Sequence, residues 1–490
     1  MYIENRKKDF LLGFLQKKFK NVPITVKVSV AYAICSILQK CLSFITLPLF
    51  TRLLTTTQYG QYSIYISWSS IITIFITLNL AYGSFSTAMV KYEDRRDQYI
   101  SSIQGLCTIL TIIFLGIYFL FREQLNVLLE LPTPIIFIMA IEILANFSIA
   151  CWSGKKRFEF KYKSVIVITL FISFSSPILA YYFVINSDEK GYARLLGYAV
   201  VAIIVGFILY IINFSRGKVF FHREFWKYAL NFNVPLIAYY LSQTVFTQSD
   251  RIMISHLVGT DKAGIYGVAF SLAMILNFIL NAINNSYVPW LYGKIKHGQE
   301  KDNAAVSCGI AILMGVMLLG VIALAPEIIL IMAGKNYYEA IWVVPPIAAS
   351  VLLLFYSQLF INVEFYFEEK RYLVYGSIGA AVLNVCLNAI VIPLFGYYAA
   401  GYSTFFSYLV FAGSNYWCMR KVLLKNNKKL SLYSTKGLLY ILTIFIICAV
   451  IMMSLYPYAI ARYAVMCVGL VISIFQRKKV KLLYAIIKEK

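Results

Sequence analysis

The stretch Asn231–Ser271, NFNVPLIAYYLSQTVFTQSDRIMISHLVGTDKAGIYGVAFS, is long and apolar enough to cross a bilayer, yet it carries charged and amide side chains. Four of these polar residues recur at i, i+4, i+7 and i+8, the spacing of one helical face: Gln243, Thr247, Asp250 and Arg251. A polar stripe on a membrane helix must face a partner helix or water, because lipid tails cannot satisfy it. The chain turns at Val258–Gly264 and re-enters an apolar segment at Tyr266. We interpret this hairpin as the opening of the second half of a two-lobed helical bundle.

The whole chain has the composition of a polytopic membrane protein. Of its 490 residues, 60% are hydrophobic and 14% are charged, whereas soluble domains have about 45–50% apolar and about 25% charged residues. Apolar windows of roughly 20 residues, the length of one span, follow one another with only short connections between them. We therefore predict an all-α integral membrane protein with about fourteen transmembrane helices.

The net charge of +23 comes from basic residues in short connections, which favours topology control over nucleic-acid binding. The nine cysteines are scattered through apolar windows without a CxxC or a Cys–His metal spacing. The sequence contains no Walker A loop, HExxH or GxSxG motif. We predict that the protein is not an enzyme, needs no cofactor or metal, and has no nucleic-acid partner.

Basic residues concentrate in every second connection, for example in Lys155–Lys163, Arg216–Lys227 and Arg420–Lys429. The connections between these hold very few, such as Arg52 or Lys335. Because basic loops stay on the cytoplasmic side, we predict that both termini are cytoplasmic and that the number of spans is even.

An internal repeat divides the chain. The segment LFTRLLTTTQYGQYSIYISW at Leu49–Trp68 is echoed by MISHLVGTDKAGIYGVAFSL at Met253–Leu272. Gly60 aligns with Gly264, and each copy lies at the turn between the first two helices of a half. Chance similarity of two short membrane turns is the alternative. A true repeat predicts two pseudo-symmetric six-helix lobes of the same orientation, related by an axis along the membrane normal.

The predicted organisation has six parts. They are a cytoplasmic amphipathic segment (1–25), an N-lobe of helices 1–6 (26–213), a cytoplasmic inter-lobe linker (214–227), a C-lobe of helices 7–12 (228–419), two additional helices (420–475) and a basic cytoplasmic tail (476–490). The connections are too short for a soluble domain, which needs at least about 50 residues.

Charged side chains at membrane depth are the informative candidates for function, since an isolated Lys or Asp there costs about 2.5–3.5 kcal/mol on insertion scales. Lys40 lies near the middle of the first span, on one face with Ser36 and Ser43. Glu142 lies in the fourth span with Asn146 one turn on. Three uses remain open. The two charges could pair for packing alone, Lys40 could supply a cation to a cavity, or Glu142 could be a protonatable coupling group.

Other charged residues lie near the ends of spans. Asp250 and Arg251 lie near the outer end of the seventh span, and Arg52 lies at the outer end of the first. Long side chains at such positions can also simply snorkel to water. Glu364, at the inner end of the tenth span, is predicted to join the acidic pair that follows it in a solvated cluster.

Short motifs occur along the chain in a fixed order. They are Thr51-Arg52-Leu53-Leu54 with Tyr59-Gly60-Gln61-Tyr62, Asp250-Arg251 with Gly264-Ile265-Tyr266, Ala325-Pro326-Glu327 with Gly334 and Tyr337, and Leu383–Asn388 with Ile392-Pro393, Gly396 and Ala399-Ala400-Gly401. Over residues 25–420 their order and spacing resemble those of the polysaccharide (O-antigen and capsule) flippases of the multidrug/oligosaccharidyl-lipid/polysaccharide exporter superfamily. Tyr398 stands where that family often has a glycine.

The resemblance implies two six-helix lobes around a central cavity, with two extra C-terminal helices. It also implies alternating access that moves undecaprenyl-pyrophosphate-linked oligosaccharide repeat units across a bacterial cytoplasmic membrane, coupled to H⁺ or Na⁺. Its candidate partners are membrane lipids, a polysaccharide polymerase and a chain-length regulator. A pyrophosphate head group needs a wet, cationic path through hydrocarbon. The candidates are Lys40, Arg52 and Arg251 for the pyrophosphate, Gln243, Thr247 and Gln248 for the sugars, and Glu142 and Asp250 for ion coupling.

Two other functions stay open on the sequence alone. A drug/cation antiporter of the same superfamily would favour an acidic cavity, whereas the candidate residues lean basic. A membrane polysaccharide polymerase or ligase would need a sizeable outer loop, whereas the connection Pro326–Ala340 is short.

Overall fold

The computed structural model describes residues 24–299, 302–426 and 432–475, so almost all of the predicted segment 1–25 and the whole tail 476–490 lie outside the described residues. Within these ranges the regular structure is helical and contains no strand. The α-helices are α1 (Ile24–Leu53), α2 (Thr56–Thr77), α3 (Phe85–Lys91), α4 (Arg96–Leu120), α5 (Arg122–Leu129), α6 (Thr133–Phe158), α7 (Tyr162–Ile185), α8 (Lys190–Gly217), α9 (Arg223–Asn233), α10 (Ile237–Leu257), α11 (Thr260–Ala273), α12 (Ile275–Lys296), α13 (Asn303–Ala323), α14 (Ala325–Met332), α15 (Val344–Tyr366), α16 (Lys370–Phe395), α17 (Tyr398–Lys425), α18 (Thr435–Ser454) and α19 (Ala459–Phe475). Short 3₁₀ segments lie at Glu93–Arg95, Val234–Leu236 and Lys335–Trp342.

Ten helical segments of the described chain are long and apolar enough to cross a membrane, which confirms the predicted all-α integral membrane protein. They are Ala31–Leu53, Glu93–Leu120, Thr133–Phe158, Tyr162–Ile185, Lys190–Gly217, Thr260–Lys296, Asn303–Ala323, Val344–Tyr366, Val374–Phe395 and Thr435–Ser454. The helices outside this set include α2, α10 and α17, each of which carries several Tyr and Ser residues. The count of about fourteen spans stays a prediction.

By their packing, the described residues form two compact units. The first consists of the residues up to Leu53 together with Ile72–Ile237, and the second of Leu54–Ile71 together with the residues from Ala238 onward. The first part of α2 therefore packs within the second unit. The lobe boundaries 26–213 and 228–419 stay predictions.

Small residues let the helices of the first unit approach closely. A Cβ added at Gly197 on α8 would overlap the backbone of Ala180 on α7, the close approach that small residues allow in membrane bundles. A buried amide pair joins α8 to α4, where Asn213 donates to Gln104 Oε1 at 3.0 Å. This pair satisfies two buried amide groups across helices, as hydrocarbon surroundings favour.

A cluster of three lysines surrounds the carboxylate that follows α6. Glu159 contacts Lys156 and Lys161 at 3.0 Å each and Lys155 at 3.2 Å. Burial alone would raise the pKa of Glu159, but the bonds from Lys156 and Lys161 and the charge of Lys155 outweigh it and lower that pKa to about 2. The carboxylate therefore stays ionised at neutral pH and offsets part of the basic charge of a connection that is predicted to be cytoplasmic.

The last two helices belong to the second unit. Helix α18 packs against α13, and α19 contacts the same helix. Arg462 on α19 is only 1% exposed and forms an ion pair with Glu327, in the first turn of α14. Tyr463 Oη also donates to Glu327 Oε1 at 2.6 Å. The glutamate of the Ala-Pro-Glu motif is thus the anchor of the final helix.

Candidate functional site

Asp250 is buried in the centre of the second unit, on α10, with 1% of its surface exposed. Its Oδ2 accepts hydrogen bonds from Tyr266 Oη at 2.5 Å and from Thr404 Oγ1 at 2.7 Å. Its Oδ1 accepts from Asn388 Nδ2 at 2.7 Å. The three donors belong to α11, α17 and α16, so the polar stripe of α10 faces partner helices, and Asp250 does not snorkel to an interface.

A further layer of amides and hydroxyls supports this carboxylate. Asn384 Oδ1 accepts from Ser249 Oγ at 3.1 Å, and Asn384 Nδ2 donates to Thr404 Oγ1 at 3.3 Å. Ser403 Oγ donates to Asn388 Oδ1. One carboxylate, amide carbonyls and hydroxyls therefore converge in a small buried volume. Oxygen groups of this kind suit a proton or a hard cation.

Arg251 points elsewhere in the same unit. It is 8% exposed, its guanidinium carbon lies 4.4 Å from the centre of the Phe270 ring, and its Nη1 donates to Gln248 Oε1 at 2.8 Å. Gln248 Oε1 also accepts from Ser67 Oγ at 3.2 Å. The cation is thus held by an aromatic face and an amide inside the unit.

The remaining sugar candidates already bond within the protein. Gln243 Nε2 donates to Ser377 Oγ on α16 at 2.7 Å. Thr247 Oγ1 donates back to the carbonyl oxygen of Gln243 at 3.2 Å. A sugar hydroxyl that bound here would have to replace the hydrogen bonds that Gln243 and Thr247 form within the protein.

The two repeat copies contact each other through their aligned glycines. A Cβ at Gly60 would overlap the carbonyl oxygen of Thr260, and a Cβ at Gly264 would overlap that of Thr56. Thr56 and Thr260 are separated by the same number of residues as Gly60 and Gly264. The contact is therefore reciprocal, as a local two-fold relation between the copies requires.

Replacing Gly264 by Ala should destabilise the protein, because the added methyl group overlaps the backbone of α2. Forcing an extra methylene into a packed contact costs about 1–3 kcal/mol. Gly413→Ala on α17 is the matched control, since a Cβ there meets nothing within 4 Å. Thermal unfolding of the purified variants should show a lower Tm for Gly264→Ala only. Equal Tm values would mean that the helices separate easily at this contact.

In the first unit, Lys40 lines a pocket of about 300 Å³ between α1, α7 and α8. Hydroxyl groups of Ser43, Ser173 and Tyr198 share the lining. Gln39 Nε2 donates to Ser173 Oγ at 3.0 Å and joins α1 to α7. Within the described residues no salt bridge joins Lys40 to a carboxylate, and the three uses of Lys40 and Glu142 stay predictions.

The other two candidates of the first unit lie apart from this pocket. Arg52 is exposed in the last turn of α1, and Glu142 is half-buried on α6. Neither is among the residues that line the Lys40 pocket. The structure thus gives Lys40 a polar pocket and Asp250 a polar network, each inside its own unit.

Three residues of the Asp250 network were missed as site residues from the sequence. Tyr266 and Asn388 stand in the aligned motifs, and Thr404 lies a few residues beyond the last of them. The order of these motifs can be read from the sequence. The spacing of residues along one helix, however, does not tell which other helices it contacts.

The family model described as "Polysaccharide biosynthesis protein" matches residues 26–293. In Haemophilus influenzae (strain Rd), "Lsg locus putative protein 1" is 23% identical over 376 residues, which cover 73% of this chain and 89% of that protein. An uncharacterised membrane protein of the same organism is 24% identical over 278 residues, 56% of this chain and 67% of that protein.

Solved structures with a similar fold are transport proteins. The lipid II flippase MurJ, in an inward closed conformation, matches with a TM-score of 0.66 at 14% identity, over 92% of this chain and all of that one. An inward-facing multidrug resistance MATE transporter of the MOP superfamily matches with a TM-score of 0.61 at 12% identity, over 82% of this chain and 99% of that one. At these identities the likeness shows the fold alone. The chain is a multi-pass membrane protein with a fold like those of MurJ and of a MATE transporter, and it belongs to the polysaccharide biosynthesis protein family.

Proposed function

We propose that this protein is a flippase that moves undecaprenyl-pyrophosphate-linked oligosaccharide repeat units across the bacterial cytoplasmic membrane by ion-coupled alternating access. The observation that carries the proposal is a polysaccharide-family chain with the fold of a lipid II flippase. Both termini are proposed to be cytoplasmic, with lobes at 26–213 and 228–419 enclosing the path. A polysaccharide polymerase and a chain-length regulator are the proposed partners.

The head group needs a cationic, wet route, and Lys40 is the best-placed candidate to attract its pyrophosphate. Lys40 is exposed, it lines a pocket together with the hydroxyl-bearing residues Ser43 and Ser173, and it forms no salt bridge with a described carboxylate. Charge-assisted hydrogen bonds to a phosphate are about twice as strong as neutral ones. Arg52 and Arg251 are the further pyrophosphate candidates, and the sugars are assigned to the amide and hydroxyl groups of α10.

The coupling ion is assigned to Asp250, with Glu142 as the second candidate. H⁺ or Na⁺ at Asp250 would compete with the hydrogen bonds from Tyr266, Asn388 and Thr404. Because these donors belong to three other helices, occupancy would change how α10 packs against them. An ion shifts a conformational equilibrium only through such a difference between states.

A strain that lacks the gene tests the proposal. Lipid-linked repeat units should accumulate on the cytoplasmic side, surface polysaccharide should disappear, and the wild-type gene should restore both. Purified protein in liposomes should move the same lipid-linked units. Normal surface polysaccharide in the deletion strain, with no relative to replace the protein, would contradict the proposal.

A drug/cation antiporter is the second candidate, favoured by the fold shared with MATE transporters. Expression in a strain without other drug pumps distinguishes the antiporter from the flippase. Raised drug resistance with no effect on surface polysaccharide would select the antiporter.

A further inference from the structure

A second buried carboxyl group in the second unit has no role in the function proposed so far. Glu364, near the end of α15, is 1% exposed. The predicted solvated cluster is wrong for this residue, because its side chain is buried on α15, a helix that packs along α17. Both carboxyl oxygens are buried, and neither forms a hydrogen bond with a described residue.

The titratable groups on the neighbouring helix α17 do not pair with the carboxyl group of Glu364. The Cys418 thiol lies close enough to Glu364 to interact electrostatically, but no hydrogen bond joins them. Lys421, one turn further along α17, places its Nζ over the Trp417 ring at 3.4 Å from the centre. Asn415, one turn before Cys418, has a buried Oδ1 that also accepts no hydrogen bond from a described residue.

The other elements around this end of α15 bring no countercharge either. On α12, Tyr292 packs against Tyr366 with ring centres 5.1 Å apart. Beyond α15, Glu369 is bound to Lys425. Among the side chains that the structure describes on α11, α13, α16 and α18, none forms an ion pair or a hydrogen bond with Glu364.

A carboxyl group in this position carries a proton. An isolated ionised carboxylate in an apolar interior is so unfavourable that the group neutralises instead. A metal ion does not fit, since hard cations take about six or more oxygen ligands and the described residues contain no group of three or more His, Cys, Asp or Glu that could hold one. Asp250 differs, because amide and hydroxyl oxygens surround it.

We propose that Glu364 is a second proton-binding site of the transporter, closed while α15 and α17 are packed and opened when their inner ends part. On opening, the carboxylic O–H gives its proton to water and leaves a hydrated carboxylate. The helices can close again only after a proton returns, because closing over the carboxylate would bury an unpaired charge. The coupling of this proton to transport rests on the proposed function, whereas the proton site itself does not.

Infrared spectroscopy of the purified full-length protein in lipid nanodiscs tests the site directly. A buried protonated carboxyl group gives a carbonyl band at neutral pH that shifts in D₂O. We expect the band in the wild type and in Glu369→Gln, and its loss in Glu364→Gln. A band of equal size in Glu364→Gln, or no band in the wild type, would overturn the proposal. Glutamine is the neutral analogue of the protonated side chain, so this variant should keep the wild-type Tm.

Transport in liposomes tests the coupling. An imposed pH gradient should raise the transport rate of the wild type about ten-fold, the effect of about 1.4 kcal/mol on the barrier. It should raise the rate of Glu364→Gln much less. Stimulation of Glu364→Gln equal to that of the wild type would overturn the coupling. Failure of the wild type to move any lipid-linked oligosaccharide would overturn the proposed function, while the infrared result would still decide the proton site.

Discussion

Exchange of Asp250 for asparagine is expected to lower the rate of coupled transport by at least about ten-fold, the effect of about 1.4 kcal/mol. The carboxylate accepts three hydrogen bonds and donates none. In the variant an NH₂ group must face at least one of these donors. A buried polar group left without its partner costs about 1–3 kcal/mol, and the charge that would hold the coupling ion is gone.

The rate is measured with purified protein in liposomes, with and without an imposed H⁺ or Na⁺ gradient. Asp261→Asn is the matched control, because Asp261 lies in the first turn of α11 and is no part of the network. We expect that variant to respond to the gradient as the wild type does. If Asp250→Asn keeps both its rate and its gradient response, Asp250 is a packing residue and the coupling ion binds elsewhere.

The fold class and the place of Asp250 on a polar helical face were predictable because they follow from local patterns. Long apolar windows decide the class, and the period of a helix puts Gln243 and Asp250 on one stripe. Which helices that stripe meets is a long-range property. Thr404 lies far along the chain from Asp250, and no periodicity in either helix records their contact.

The burial of Glu364 was also not predictable from local patterns. Its neighbours in sequence, Glu368, Glu369 and the basic pair after them, predicted a solvated position. In the structure Glu364 still belongs to α15, which ends at Tyr366 and packs along α17, and its side chain is buried. Boundaries of this kind depend on packing and are uncertain by several residues when only the sequence is used.

Replacing Lys40 by glutamine is expected to reduce surface polysaccharide by about 10- to 100-fold, while the protein stays inserted. A hydrogen bond to a charged group contributes about 1.5–3 kcal/mol, and glutamine keeps a donor but loses the charge. Lys40→Arg should retain most of the export, because the charge remains at the pocket. Surface polysaccharide is measured against the amount of protein in the membrane fraction.

Lys163→Gln is the control for loss of one positive charge, since Lys163 is exposed in the first turn of α7 and several lysines flank it. Comparing Lys40→Gln with Lys40→Arg distinguishes a structural role of Lys40 from a role in substrate binding. If Lys40 only anchored α1, arginine and glutamine would impair the Tm alike and export would follow stability. If its ammonium meets the pyrophosphate, export follows the charge at unchanged Tm. Full export by Lys40→Gln at normal protein levels would exclude the pocket from the substrate path.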